Sequence, residues 1–308
     1  MKKFLTDIMR FAVLILIAGV IIIFLPATPR SKESLLFSGV QKDSMMQYTS
    51  SPRFIMIGGS NIGMGINSQM IKDSLQMNPI NTGINAIIGL KFMLDRNQRY
   101  IKAGDVVVVI PEYSQFMGDF AYGNEDLLRM IFDVSLSDIK LLDSRQWDRI
   151  IDDIPNYIRT KLRISSYKYP PGSISPIYSN KAYNQYGDAA AHWYEDVEKE
   201  REIILHPFDQ EINLQIVDYI LEFAKIVEAK GAKVYVSYPG LNESSYNVEW
   251  TTKLDSIFRS KKLKVLGTPE EFIFPDSLIY DYPYHFVKEG VDLRTNELIE
   301  EYKKSIAE

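Results

Sequence analysis

The sequence predicts an α/β fold, a doubly wound parallel sheet carrying a largely helical insertion and preceded by an N-terminal transmembrane helix. Two observations point to the sheet: short apolar runs closed by glycine or proline alternate with longer stretches of helical spacing, and short loops join them. A third, the uncharged run at the start of the chain, points to the membrane helix. The 308 residues, 46% apolar and 24% charged, are enough for a sizeable core.

The opening "MKKFLTDIMR" supplies Lys2, Lys3 and Arg10, and "FAVLILIAGVIIIFL" then runs uncharged from Phe11 to Leu25. Flanking residues between Leu5 and Ala27 extend this run toward the roughly 20 a spanning helix needs. The basic flank orients the N-terminus to the cytoplasm and sends the rest of the chain across the cytoplasmic membrane, to a periplasmic or extracellular location. A cleaved signal peptide is the competing reading. No clean small-x-small site precedes Pro26, so an uncleaved single-pass anchor over 1–30 is favoured. The polar residues of 31–52 read as a stalk, and 53–308 as the main domain.

Within that domain "RFIMIG" and "PINTG" read as buried strands, separated by the helical "INSQMIKDSLQM". "AIIGLKFMLDRNQRYI" follows as a helix, and "GDVVVVIPEY" is the plainest strand of the chain. A long amphipathic helix in "NLQIVDYILEFAKIVEAKG" stops at Gly231 and leads into the strand "AKVYVSYPG". The helix "WTTKLDSIFRSKK", the strand "LKVLG" and a terminal helix from about Glu289 to Ile306 complete the set. From about 116 to 207 the rhythm breaks into helix-like pieces and a tyrosine-rich loop. This reads as an insertion rising over the carboxyl edge of the sheet, where α/β proteins bind ligands.

Composition excludes several classes. Lysine plus arginine total 35 against 40 acidic residues, a net charge of −5, with no basic block to track a phosphate backbone, so no nucleic-acid partner is expected. The absence of cysteine excludes disulfides and thiolate chemistry. His192, His206 and His285 lie at no metal-ligand spacing, and Gly58, Gly59, Gly63 and Gly65 do not make a dinucleotide fingerprint. Neither a metal nor a cofactor is expected.

Ser60, in "IGGSNIGMGINS", is the first candidate for chemistry. A serine at a sharp strand-to-helix turn has unpaired N–H groups of the next helix beside it, as a nucleophile needs, although an ordinary N-cap serine has the same setting. The second is His285 in "YDYPYHFVKEGVDLRT". Asp281, four residues earlier, can hold one ring nitrogen while the other serves Ser60 as general base. Glu112, closing the valine strand, is either catalytic or the partner of an arginine. His192 either lines the cleft or caps the insertion; His206 reads as structural. Tyr167, Tyr169, Tyr178, Tyr183 and Tyr186 form a sugar platform or, the favoured reading, pin a long loop.

The order of a serine block, a glycine block, a third-strand block and a terminal Asp-His block resembles the SGNH/GDSL hydrolase superfamily. The tract "DYPYHFVKEGVDLRT" is similar to its membrane-anchored bacterial branch, related to polysaccharide O-acetylation and D-alanylation proteins. The resemblance runs from about Arg53 to the C-terminus outside the insertion. It implies a flavodoxin-like three-layer fold with Ser60 as nucleophile, His285 as base, Asp281 as its orienter and the N–H of Gly83 in the oxyanion hole. Gly59 stands where the family has aspartate, and "PEYSQF" where it has G-x-N-D. The missing asparagine removes an oxyanion donor of the kind typically worth about 100- to 1,000-fold; Asn61, Tyr113 and Gln115 are the candidates to replace it. The function implied is esterase or O-acyltransferase action, most plausibly acetyl, on a cell-surface or secreted glycan or an acylated small molecule. For transfer, the resemblance further implies a multispanning membrane acyltransferase as partner. The alternative is a catalytically inactive glycan-binding or assembly subunit of an envelope complex.

Overall fold

The computed structural model describes residues 1–196, 208 and 210–307. His206 and the expected end of the insertion at 207 lie outside the described residues.

Helix α1, Lys2–Ile23, is long and apolar enough to cross a membrane. At 1.5 Å per residue it measures about 33 Å, close to the thickness of a bilayer's hydrocarbon core. Its last turns run beside the insertion, with Gly19 next to Ile158.

The segment expected to be a stalk is not one. A short turn of helix at Pro29–Glu33 leads through a 3-10 turn, Leu35–Phe37, to α2, Ser38–Tyr48, and the two pack onto the main body through the buried Leu36 and Met46. Lys42 is buried as well. Its ammonium donates to the carbonyls of Asn81 and Gly187 at 2.9 and 2.7 Å, and burial pulls its pKa down to about 7 against the opposing pull of Asp188. Scattered polar letters hid this attachment because the buried side chains of Leu36, Ser38, Lys42 and Met46 leave no apolar periodicity.

The body is built on five parallel strands: β1 (Arg53–Gly58), β2 (Asn78–Asn81), β3 (Val106–Ile110), β4 (Lys233–Ser237) and β6 (Val265–Leu266). Their order across the sheet is β2-β1-β3-β4-β6. A separate two-stranded piece pairs β5 (Leu241–Asn242) with β7 (Ile273–Phe274). Every residue of β1 and β3 is buried, which is why both read as unbroken apolar runs: strands flank them on two sides and helices cover both faces. Right-handed crossovers place α3 (Ser68–Leu75) on one face and α4 (Leu90–Gln98) and α5 (Leu214–Glu228) on the other. The helix α6, Val248–Ser260, joins β4 to the last strand of the sheet, and α7, Lys288–Ala307, returns against α3. The doubly wound reading thus holds for the sheet and its layers.

One local difference has a clear cause. The helix expected over "AIIGLKFMLDRNQRYI" splits at Gly89, whose φ of +90° ends a 3-10 turn at Ala86–Ile88 and restarts the chain as α4. A Cβ there would lie 2.5 Å from the Gly123 nitrogen, so the break also admits the insertion's first loop. At the opposite edge of the sheet Arg53 and Asp105, both fully buried, form an ion pair with Arg53 Nε donating to Asp105 Oδ1 at 2.8 Å. Arg53 also donates to the carbonyls of Met46 and Tyr100, stitching α2 to the strands.

Candidate active site

The carboxyl ends of β1, β2 and β3 converge on a cavity of about 340 Å³, within the range of small-molecule sites. Ser60 follows β1 directly, at the first position of a one-turn helix, Ser60–Gly63. Glycine is required just before it, because a Cβ on Gly59 would meet Ala86 N and Cα at 2.8 and 2.9 Å. That close approach of the 83–88 turn accounts for the absence of a side chain at 59 where the resembling family carries aspartate.

Asn61 fixes the turn from inside. Its Oδ1 accepts from Gly59 N–H at 3.0 Å and its Nδ2 donates to the Ile110 carbonyl at 3.0 Å, so the amide is spent on the backbone and is no oxyanion donor.

His285 and Asp281 sit in a tight loop ahead of α7. The loop is closed by the Tyr280 N–H donating to the His285 carbonyl at 2.8 Å and by the His285 N–H donating to Tyr282 at 2.7 Å. This closure brings Asp281 Oδ1 within 2.8 Å of His285 Nδ1. The second oxygen of Asp281 accepts a hydrogen bond from Tyr178. Among the described residues the buried His285 Nε2 has no partner, and His285 shares the cavity wall with Ser60. An imidazole oriented by a carboxylate and lining the same cavity as a serine is an arrangement a general base can use.

The serine hydroxyl does not bond that nitrogen here. It donates to Glu112 Oε1 at 3.3 Å, and the same oxygen accepts from Asn61 N–H at 3.3 Å. Glu112 is 4% exposed, and its partners are a serine and a backbone amide. Burial raises its pKa; the nearby His285 and the two hydrogen bonds oppose that rise without cancelling it. Glu112 lines the cavity and pairs with no arginine among the described residues. The signal was present in the sequence as an acidic residue immediately beyond a fully buried strand.

The remaining expected donors fall elsewhere. Gly83 does not open its N–H to the cavity, since it donates to Asn81 Oδ1 at 3.0 Å. Its lack of a side chain serves packing, because a Cβ would lie 2.4 Å from Ile62 and 2.5 Å from the Gly59 carbonyl. Tyr113 is buried on the far side, its ring against Phe208 and Trp250. Gln115 bridges Ala86 and Leu90, donating to the Ala86 carbonyl at 2.8 Å and accepting from Leu90 N–H at 2.9 Å. It therefore supports the cavity wall without facing the cavity. Ser60 and Ala86 both line the cavity, and the close approach of Ala86 N to Gly59 sets their main-chain N–H groups on adjoining turns. Ala86 was not singled out in the sequence, where nothing distinguishes it from any alanine after a turn.

His192 is fully buried behind the site. Its Nε2 is 2.9 Å from the Phe286 carbonyl, its ring packs on Tyr280, and burial lowers its pKa to about 4. It braces the His285 loop and does not line the cavity. The five tyrosines divide. Tyr178 and Tyr183 reach the cavity wall. The hydroxyls of Tyr167, Tyr169 and Tyr186 bond Lys161, Glu33 and Gln69, pinning the loop.

Among the described residues, the side chains grouped closely enough to hold a cation are Glu271, Glu297 and Glu301, and none of them lines this cavity. Comparison of the sequence with protein-family models and with curated proteins finds no match.

Proposed function

We propose that the chain is an extracytoplasmic SGNH-like serine acyl esterase or O-acyltransferase, acting on an ester, most plausibly acetyl, of a cell-surface or secreted glycan. The observation that carries this reading is the shared cavity of Ser60 and an Asp281-oriented His285 with a free Nε2. The serine hydroxyl turns from Glu112 toward His285 and attacks the acyl carbonyl, and its proton passes to Nε2. The new Oγ–C bond gives a tetrahedral oxyanion, which collapses as the leaving alkoxide takes the proton from His285. Water or a sugar hydroxyl then attacks the acyl-serine, His285 again receives and returns the proton, and Ser60 is released.

The oxyanion lies against the N–H groups of Ser60 and Ala86. Glu112 supplies the third hydrogen bond in place of the family's asparagine. As a neutral acid it keeps its carbonyl oxygen on Ser60 and Asn61 and offers its O–H to the cavity. For transfer, the acyl donor would come from a multispanning membrane acyltransferase.

The test is a fluorophosphonate probe and an aryl acetate applied to the full-length protein in detergent. Labelling at Ser60, with turnover lost in Ser60→Ala and His285→Ala, is expected. No labelling, or unchanged turnover in both variants, would leave only a non-catalytic glycan-binding role for the cavity.

A further inference from the structure

A second cavity of about 460 Å³ lies where the chain leaves α1. Its wall begins at Thr28, five residues beyond the end of that helix, and is completed by the insertion helix Ile154–Leu162 and the loop after it. Lys161 fixes this junction by donating to the carbonyls of Leu25 and Pro26 at 2.7 and 3.1 Å while it pairs with Asp133.

Three arginines, Arg30, Arg129 and Arg163, line the cavity together with hydroxyls that include Ser165, Ser173 and Ser175. Arg129 reaches a carboxylate of Glu125 only at 3.8 Å. Arg30 stacks on Tyr169, and neither it nor Arg163 has a carboxylate partner among the described residues. The one acid on the wall, Asp133, is already matched by Lys161. The cavity thus carries unmatched guanidinium charge and hydroxyl donors, the chemistry that recognises phosphate.

Its place favours a lipid source for that phosphate. Leu162 and Ile164, on either side of Arg163, are 61% and 77% exposed, and the helix that ends at Leu162 runs beside α1. Apolar side chains alternating with an arginine at the level of a membrane-spanning helix's end fit the headgroup boundary, with the leucine and isoleucine in the acyl region and the guanidinium above it.

We infer that this cavity binds the phosphate of a membrane lipid headgroup. The inference does not depend on acyl chemistry at Ser60. It does place the bound headgroup one side chain from the Ser60 cavity, because Tyr178 lines both.

Native mass spectrometry of the full-length protein in maltoside micelles tests it, with dioctanoyl phosphatidic acid, dioctanoylglycerol and inorganic phosphate as separate probes. The phosphatidic acid should bind saturably, with dioctanoylglycerol and inorganic phosphate each at least about tenfold weaker. Arg30→Gln and Arg163→Gln should each weaken the phosphatidic acid about fivefold to tenfold. Lys264→Gln, at a cation remote from the cavity, and Ser60→Ala should leave binding unchanged, so loss of the esterase reading and loss of this site are read separately. Inorganic phosphate binding as tightly as the lipid would overturn the lipid source. Dioctanoylglycerol binding equally, or full retention of binding in the double arginine variant, would overturn the phosphate site.

Discussion

Glu112→Gln and Glu112→Ala, compared across pH, decide how the cavity stabilises an oxyanion. Glutamine keeps the size of the side chain, an oxygen for Ser60 and Asn61, and an N–H donor toward the cavity; alanine removes all three. One oxyanion donor is worth about 100- to 1,000-fold in turnover, or roughly 2.7 to 4 kcal/mol. Glu112→Ala should therefore lose that much in kcat on an aryl acetate, and Glu112→Gln should stay within about tenfold of wild type. The acid donates only while protonated, and burial raises its pKa above the usual 4.5. Wild-type activity should consequently fall as pH rises through that elevated pKa, and Glu112→Gln should lack this limb.

Stability should fall with rising pH alongside activity. Between 4.5 and its elevated pKa, Glu112 binds more proton in the folded than in the unfolded chain, so stability falls as pH rises across that window. Glu112→Gln removes this loss, which is about 1.4 kcal/mol for each unit of elevation, and should raise the neutral-pH melting temperature. Parallel rate profiles and thermal melts over pH 4 to 9 measure both. Glu112→Gln as inactive as Glu112→Ala would refute the donor role and make Glu112 a base; wild-type rates in Glu112→Ala would remove it from the chemistry.

Asp281→Asn should lower kcat by up to about 10,000-fold with little change in KM, as for the orienting aspartate of serine-protease triads, measured on the same ester. His192, held neutral with a pKa of about 4 against 6.5, should make the protein lose roughly 3 kcal/mol as pH falls from 6.5 to 4. Denaturant titrations of His192→Gln, which can still donate to Phe286, should show that slope removed. Asp105→Asn leaves Arg53 charged and buried without its counterion and should cost about 3 to 5 kcal/mol, while the paired change Arg53→Met with Asp105→Leu should recover most of it in thermal melts.

The sheet was legible because burial of β1 and β3 on both faces writes itself into consecutive apolar letters. Ser60, Asp281 and His285 were legible because the turn glycines and the Asp-His spacing are local signals. The proposed oxyanion donors Ser60 and Ala86 were not: they come together only because the 83–88 turn packs against Gly59, an approach no local pattern of letters marks. The attachment of 31–52 was hidden for a related reason. Lys42 reads as a solvent-facing cation, yet it meets two carbonyls supplied by Asn81 and Gly187, far apart in the chain.

That attachment bears on what the protein can reach. An extended tether over 31–52 would let the cavity sweep about 70 Å from a bilayer, sampling polymers by diffusion. With α2 and Lys161 clamping the exit of α1 to the body, a membrane-spanning α1 holds the Ser60 cavity at one fixed height. On the proposed function the protein would work as a gauge: an ester would be accepted only if it passes at that distance from the lipid surface, and selectivity along a long glycan would become a matter of position as much as of recognition.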